Sequence, residues 1–315
     1  NPDPGPVLLD SANHRHHVGA IANGRKPQDT NGFGWLIERE RWFHRLSLQA
    51  LGWKKQYPRW DRSLGQTDEL VPEVKAIDEL RLQRGAEQIV YDGAIEDIQP
   101  EIWPRLFDPE FLRESGVVTA TAEGRGSAYF FTWGSNRLVL RHYLRGGLLG
   151  KVISDRYLGA SLESSRPYLE WQLLGKLAGL GLPAPRPAAI RLCGGAGFYR
   201  GDLLTHEIED ARPLSALLQQ AQIGEKSWRA VGGTIRKFHD HGVLHSDLNA
   251  ANILIQNEKI FLIDFDKAEM RDPGPWKNAN LERLERSLNK WRRQEEIFHF
   301  TTTDWQSLQD GYNAA

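Results

Sequence analysis

The clearest alternation of apolar and polar positions lies late in the chain. Asn252–Ile255 (NILI) and Ile260–Ile263 (IFLI) are two short, β-branched runs bounded by turn residues, with QNEK between them. Runs of this length predict two adjacent strands joined by a tight turn. Upstream, Val117–Ala122, Ser127–Thr132 and Arg137–Arg141 read as three further strands. Their links, EGRG and WGSN, are made of turn residues, so an antiparallel meander is expected. Strands are also expected near Ala188–Leu192 and Phe198–Ile208.

Helical periodicity takes over at Arg166–Ala178, where Leu169, Leu173, Leu174 and Leu177 line one face. Ser165 stands where an N-cap belongs, Pro167 suits the first turn, and LPAPRP ends the helix. A second helix is expected to start at Ser227, with Trp228, Val231, Ile235 and Phe238 as its stripe and Gly242 at the C-terminal glycine position. Residues 1–90 have weak periodicity, scattered tryptophans and Pro and Gly at the start. Helices at Arg39–Leu51 and Glu73–Arg84 are expected there. The cluster His14, His16, His17 reads as part of a polar tail rather than a metal site.

Composition narrows the classes. The 315 residues suffice for a real core and more than one domain; 40% are hydrophobic and 26% charged, as in ordinary globular proteins. The formal net charge of -1 gives no sign of nucleic-acid binding. Cys193 is the single cysteine, which excludes an internal disulfide and any cysteine-cluster zinc site and fits a reducing compartment. No apolar run reaches the roughly 18 residues that span a bilayer. The N-terminus lacks a signal-peptide layout, and its first residue is Asn1, which reads as a fragment or a processed product.

The predicted hairpin gathers chemistry at one end. Asp247 and Asn252 sit at or just before its first strand, and Asp264 follows its second. His245-Ser246-Asp247-Leu248-Asn249-Ala250-Ala251-Asn252 matches H-x-D-L-x-x-x-N, the catalytic loop of protein-kinase-like phosphotransferases. Asp264-Phe265-Asp266 matches the metal-binding D-F-G with its glycine replaced. Phosphoryl transfer needs a carboxylate to orient the attacking hydroxyl and take its proton, and hard oxygen ligands to hold Mg²⁺ against the phosphates of ATP. Asp247 fits the first role, Asn252 and Asp264 the second, and His245 supports the loop. Gly124, Gly126 and Ser127 lie between two predicted strands, where backbone can approach phosphates. That turn is common, and its position ahead of the other motifs carries the assignment. Glu170 lies on the helix after the third strand, where kinases place the glutamate of an ion pair. The usual lysine partner is missing; RLVLRHY puts Arg141 in its place. No A-P-E signature follows Asp264, so a protein-kinase activation segment and a large peptide platform are not expected.

A narrower resemblance covers both departures. LRHYLRGGLLGK, DRYLG, LPAPRPAA, YRGDLLTHEIEDARPLSALL, HSDLNAANIL, DFDKAE and WKNANLERLERSL resemble the 3-deoxy-D-manno-octulosonic acid (Kdo) kinase family over roughly residues 90–293. The resemblance implies an α+β, two-lobed protein-kinase-like fold, with an N-terminal antiparallel sheet lobe and a reduced helical C-terminal lobe. It implies ATP-dependent phosphorylation of a Kdo hydroxyl, at position 4, on Kdo-lipid A in lipopolysaccharide inner-core synthesis, with ATP and Mg²⁺. The place would be the cytoplasmic face of the inner membrane, held peripherally, with no nucleic acid and no protein partner evident. Residues 89–300 would be the catalytic domain, 1–88 an extension of unknown role and 301–315 a C-terminal tail. Arg137, Arg141, Arg145, Lys151 and Arg156 suit an acceptor carrying a carboxylate and phosphates. Leu281, Leu284, Leu288 and Trp291 form one face of a basic helix that either rests on a membrane or packs against the body. Two other readings stay open: a soluble small-molecule kinase of the aminoglycoside type, and a nucleotide-binding pseudokinase scaffold.

Overall fold

A computed structural model describes residues 77–122, 128–143, 161–195 and 198–315, and the backbone of two short strands at 36–38 and 157–158. The expected helix at Arg39–Leu51, the histidines at 14–17, the glycine turn at 124–127 and the basic residues Arg145, Lys151 and Arg156 lie outside the described residues.

The chain opens its large sheet with β1 (Leu36–Glu38), β2 (Glu79–Arg84) and β3 (Glu87–Asp92). A 3-10 turn at Trp103–Phe107 and helix α1 (Pro109–Glu114) follow, then the expected meander β4 (Val118–Ala122), β5 (Ala128–Trp133) and β6 (Asn136–His142). Next come β7 (Tyr157–Leu158), α2 (Arg166–Gly179), β8 (Pro187–Gly195) and β9 (Phe198–His206). The sheet runs β1-β2-β3-β8-β9-β6-β5-β4, antiparallel throughout, with β7 on β9.

One expectation is overturned here. Glu79–Arg84 was expected within a helix and is a strand. Its residues favour helix as single residues, but pairing of Leu80 with Tyr91 and Leu82 with Ile89 decides its state. Gly85, at a φ of 58°, closes the hairpin. Tertiary pairing outweighs local propensity of a few tenths of a kcal/mol per residue. The sheet therefore begins ahead of the boundary expected at 89.

Side chains alternate across the sheet. Ile89 and Tyr91 of β3, Leu138 and Leu140 of β6 and Leu204 of β9 bury one face against Trp103, Leu106, Phe107 and Leu112. Val90, Ile190 and Leu203 bury the other against Trp171, Leu174 and Leu177 of α2. Ser165 is the N-cap of α2, yet its hydroxyl donates to the Leu162 carbonyl rather than capping. Leu169, expected on the apolar face, is 53% exposed; Tyr168, Glu170 and Trp171 take the buried positions instead.

After β10 (Arg212–Pro213) and α3 (Leu214–Leu218), helix α4 (Glu225–Asp240) starts two residues before Ser227 and buries the expected stripe. Gly242 follows at a φ of 74°, where a Cβ would lie 2.5 Å from the Arg271 carbonyl oxygen. β11 (Val243–Leu244) leads into the hairpin β12 (Ile253–Gln256) and β13 (Lys259–Leu262), closed by Asn257 at a φ of 53°. β14 (Glu269–Met270) pairs with β11.

Helix α5 (Trp276–Gln294) buries Leu284 and Leu288, with Leu281 and Trp291 packed against the same core. Of the two expectations for that face, packing on the body holds and the membrane does not. The residues expected as a tail form α6 (Thr302–Ala314), opened by a capping box of Thr301 and Asp304. α6 crosses α4 closely: a Cβ on Gly232 would meet the Leu308 oxygen at 1.9 Å, and one on Gly311 the Arg229 oxygen at 2.1 Å.

Candidate active site

The alternation of β6 sets the first functional side chain. Leu138 and Leu140 are fully buried on one face, so Arg141 leaves the strand on the other, towards α2. There its Nη2 donates to Glu170 Oε1 at 2.5 Å, and its Nη1 pairs with Asp264 Oδ1. Burial works against the guanidinium charge, but Glu170 above all restores it, and the Arg141 pKa is raised. Glu170 is 4% exposed and fully engaged. Its Oε1 also accepts from the Phe265 backbone N–H at 3.1 Å, and its Oε2 accepts from the Tyr143 hydroxyl. Burial, and next the Glu170 charge, push the Tyr143 phenol up, so it stays a donor.

The segment after β13 turns sharply. Asp264 has a φ of 65°, a left-handed conformation that aspartate tolerates better than most side chains. Phe265 is buried against Phe238 and His245, with ring centroids at 5.7 and 4.9 Å. Asp266, in the place of the usual glycine, accepts from Arg166 Nε at 2.8 Å. That pair ties the turn to the start of α2 and gives the replaced glycine a structural role.

The catalytic loop is built from its own polar residues. His245 Nε2 donates to the Ile263 carbonyl at 2.9 Å, so its Nδ1 is free to accept from the Asp247 backbone N–H at 3.2 Å. Burial lowers the His245 pKa, which keeps the ring neutral and this tautomer in place. Asn249 and Asn252 both donate to the Asp247 carbonyl at 2.9 Å. With its amide nitrogen engaged there, Asn252 presents its oxygen as an acceptor. The Asp247 side chain is about half exposed; its Oδ1 pairs with Arg283, and among the described residues its Oδ2 accepts no hydrogen bond.

Three residues on α5 reach this loop; the sequence marks Arg283 only as one of the basic residues beside the helix's apolar face, and Asn280 and Ser287 not at all. Asn280 Nδ2 donates to the His245 carbonyl at 2.8 Å, Arg283 pairs with Asp247, and Ser287 Oγ accepts from Ala250 N at 3.4 Å. Positions 280, 283 and 287 share the face that carries Leu284 and Leu288, so the helical period itself was the available signal. Behind Asn280 the chain of bonds continues. His239 Nε2 donates to Asn280 Oδ1 at 3.1 Å, and the Tyr312 hydroxyl donates to His239 Nδ1 at 2.8 Å. Burial lowers the His239 pKa to about 4, as this neutral tautomer requires.

The structure thus brings Arg141, Glu170 and Asp264 into one network, and Asp247 and Asn252 into one loop bonded to the strand end that carries Asp264. Of the expected basic cluster, Arg137 is instead tied to Glu207 and Glu209.

Residues 109–312 match the lipopolysaccharide kinase (Kdo/WaaP) family. The chain belongs to this family. It is 44% identical over 217 residues to a 3-deoxy-D-manno-octulosonic acid kinase of Actinobacillus succinogenes, covering 66% of this chain and 90% of that protein. A protein of the same name from Photobacterium profundum is 44% identical over 207 residues, 65% of this chain and 87% of its own. Its namesake in Vibrio cholerae is 39% identical over 205 residues, 65% and 86% of the two chains. The lipopolysaccharide kinase match runs from the start of α1 into α6 and takes in every described residue of the site.

Proposed function

We propose that the protein transfers the γ-phosphoryl group of ATP to the 4-hydroxyl of a Kdo sugar on a lipid A precursor, in lipopolysaccharide inner-core synthesis. One observation carries the reading: a half-exposed Asp247 whose Oδ2 no described residue engages, fixed on a loop bonded to the Asp264 turn, in a chain whose relatives are named Kdo kinases. Asp247 orients the acceptor hydroxyl and takes its proton as that oxygen bonds to the γ-phosphorus. The bond from the γ-phosphorus to its bridging oxygen breaks, and ADP leaves with that oxygen. Arg141 neutralises phosphate charge from the position of the missing lysine, held there by Glu170. The turn at Gly124, Gly126 and Ser127 covers the phosphates in this reading.

Among the described residues no group of three or more His, Cys, Asp or Glu could hold a metal by itself. The Asn252 oxygen and the Asp264 carboxylate suit Mg²⁺ of another kind, bound by one or two protein oxygens together with phosphates and water. Bound there, Mg²⁺ supplies charge neutralisation of the phosphates. Arg141 on Asp264 Oδ1 holds the carboxylate in place, and Asp264 and Asn252 would be the residues to hold the ion. The pseudokinase reading rested on the missing lysine, and Arg141 removes that support by keeping the ion pair with Glu170.

Among the described residues no helix is long and apolar enough to cross a membrane. A lipid acceptor then calls for peripheral attachment at the inner face of the inner membrane, and extraction by high salt or alkaline carbonate is the expected behaviour. Resistance to both would overturn it. The activity is tested by following radiolabelled phosphate from ATP into Kdo-lipid A precursor, with Asp247→Ala as control. Transfer should be acceptor-dependent and fall at least about 100-fold in the variant, with ATP binding by calorimetry retained. No label in the acceptor with the parent protein would sink the reading.

A further inference from the structure

Arg283 is the one side chain of α5 that meets the general base directly. Its Nη2 lies on Asp247 Oδ1, both side chains being close to half exposed. An ion pair so open to water contributes little to stability. Its neighbours on α5 already secure the loop: Asn280 holds the His245 carbonyl and Ser287 the Ala250 N–H. Arg283 is therefore redundant as a brace. Its position is specific all the same, since a guanidinium there stands beside any hydroxyl that Asp247 accepts. Of the basic residues expected to meet an anionic acceptor, the two that are described are committed: Arg137 to Glu207 and Glu209, Arg141 to Glu170 and Asp264. Kdo is an acid, and a cation close to the reacting hydroxyl complements its carboxylate. A planar fork with five donors can keep one amine on Asp247 and give another to that carboxylate.

We propose that Arg283 is a specificity-determining acceptor residue, which binds the Kdo carboxylate and thereby sets the sugar's hydroxyl against the free Oδ2 of Asp247. The inference rests on the reading of Kdo as acceptor. Without a substrate the guanidinium is neutralised by Asp247; with one, it bridges the two carboxylates. The role also accounts for a half-exposed arginine beside a half-exposed base, an arrangement that would otherwise dissipate into solvent.

The test crosses a protein change with a substrate change. Parent protein, Arg283→Ala and Arg283→Lys are assayed with Kdo-lipid A precursor and with the same acceptor reduced at its carboxyl to the primary alcohol. Arg283→Ala should raise the acceptor KM about 10- to 100-fold, the range for a hydrogen bond to a charged group, with the ATP KM unchanged. Arg283→Lys should recover part of the loss. The reduced acceptor should be as poor with the parent, and Arg283→Ala should make it no worse. The parent with the reduced acceptor reports on the carboxylate without any variant. Arg283→Lys, which keeps the charge, assigns it to position 283 should the alanine variant fold poorly. A lysine variant with the parent's KM ratio between the two acceptors supports the inference, and one that no longer distinguishes them while Arg283→Ala still does overturns it. If the parent uses both acceptors equally, or if Arg283→Ala loses as much on the reduced acceptor as on the natural one, the inference falls. If the parent phosphorylates neither, the proposed activity falls first.

Discussion

Glu170 Oε1 accepts from two donors at once: the Arg141 guanidinium at 2.5 Å and the Phe265 backbone N–H at 3.1 Å. One buried carboxylate therefore joins a strand of the large sheet to the turn that carries Asp264. Glu170→Ala should cost on the order of 3–5 kcal/mol, since it leaves Arg141 under-compensated and two donors bare. Urea unfolding measures it. A loss below about 1 kcal/mol, the range of an exposed pair, would show that the contact is not a buried anchor.

Arg141→Lys should remain partly active, because a lysine reaches the same place as a point charge but cannot bridge Glu170 and Asp264 together. Arg141→Ala should lose at least ten times more, leaving phosphate charge and Glu170 uncompensated, about 1.4 kcal/mol beyond the lysine variant. Steady-state kinetics with ATP binding measured separately decides. An Arg141→Ala variant that binds ATP normally and loses only acceptor affinity would remove the nucleotide role.

Asp264→Asn and Asn252→Ala should both lower activity and shift the optimum to higher Mg²⁺, with partial recovery in Mn²⁺. Weakening one ligand lowers affinity, and mass action compensates. Metal titrations of kcat/KM that superimpose on the parent's for both variants would rule out ligation.

His239 should make stability depend on pH. Burial lowers its pKa in the folded protein from the usual 6.5 to about 4. Between those values the unfolded chain binds more protons, so stability rises with pH there. The contribution is complete above about 6.5 and is lost as pH falls towards 4, by up to about 3 kcal/mol. His245, also held neutral by burial, acts with the same sign. His239→Gln should be less stable at pH 7.5 and show a shallower loss between pH 6.5 and 4. An unchanged slope in denaturant titrations would mean that His239 is not buried neutral.

The hairpin, the meander and the α4 stripe were legible because their periods are local: alternation in β5, β6, β12 and β13, and a 3.6-residue stripe ending at Gly242. Asp247, Asn252, Asp264, Glu170 and Arg141 were legible as residues because their order along the chain is a pattern in itself. Arg283, Asn280 and Ser287 were not, because what makes them part of the site is a tertiary partner. Only their shared face with Leu284 left a trace. Glu79–Arg84 was misread for a related reason: its strand state is fixed by β3, not by its own residues.

The bonds from Tyr312 through His239 and Asn280 to the His245 carbonyl span long sequence separations. Contacts so distant along the chain are the slow ones to form, since loop closure must come before any of them. The β4–β5–β6 meander and the β12–β13 hairpin can assemble from neighbours, but the loop that carries Asp247 acquires its full set of supports only when α6 has docked on α4 through Gly232 and Gly311. On refolding, regain of turnover is therefore expected to keep pace with the burial of Trp305 in α6.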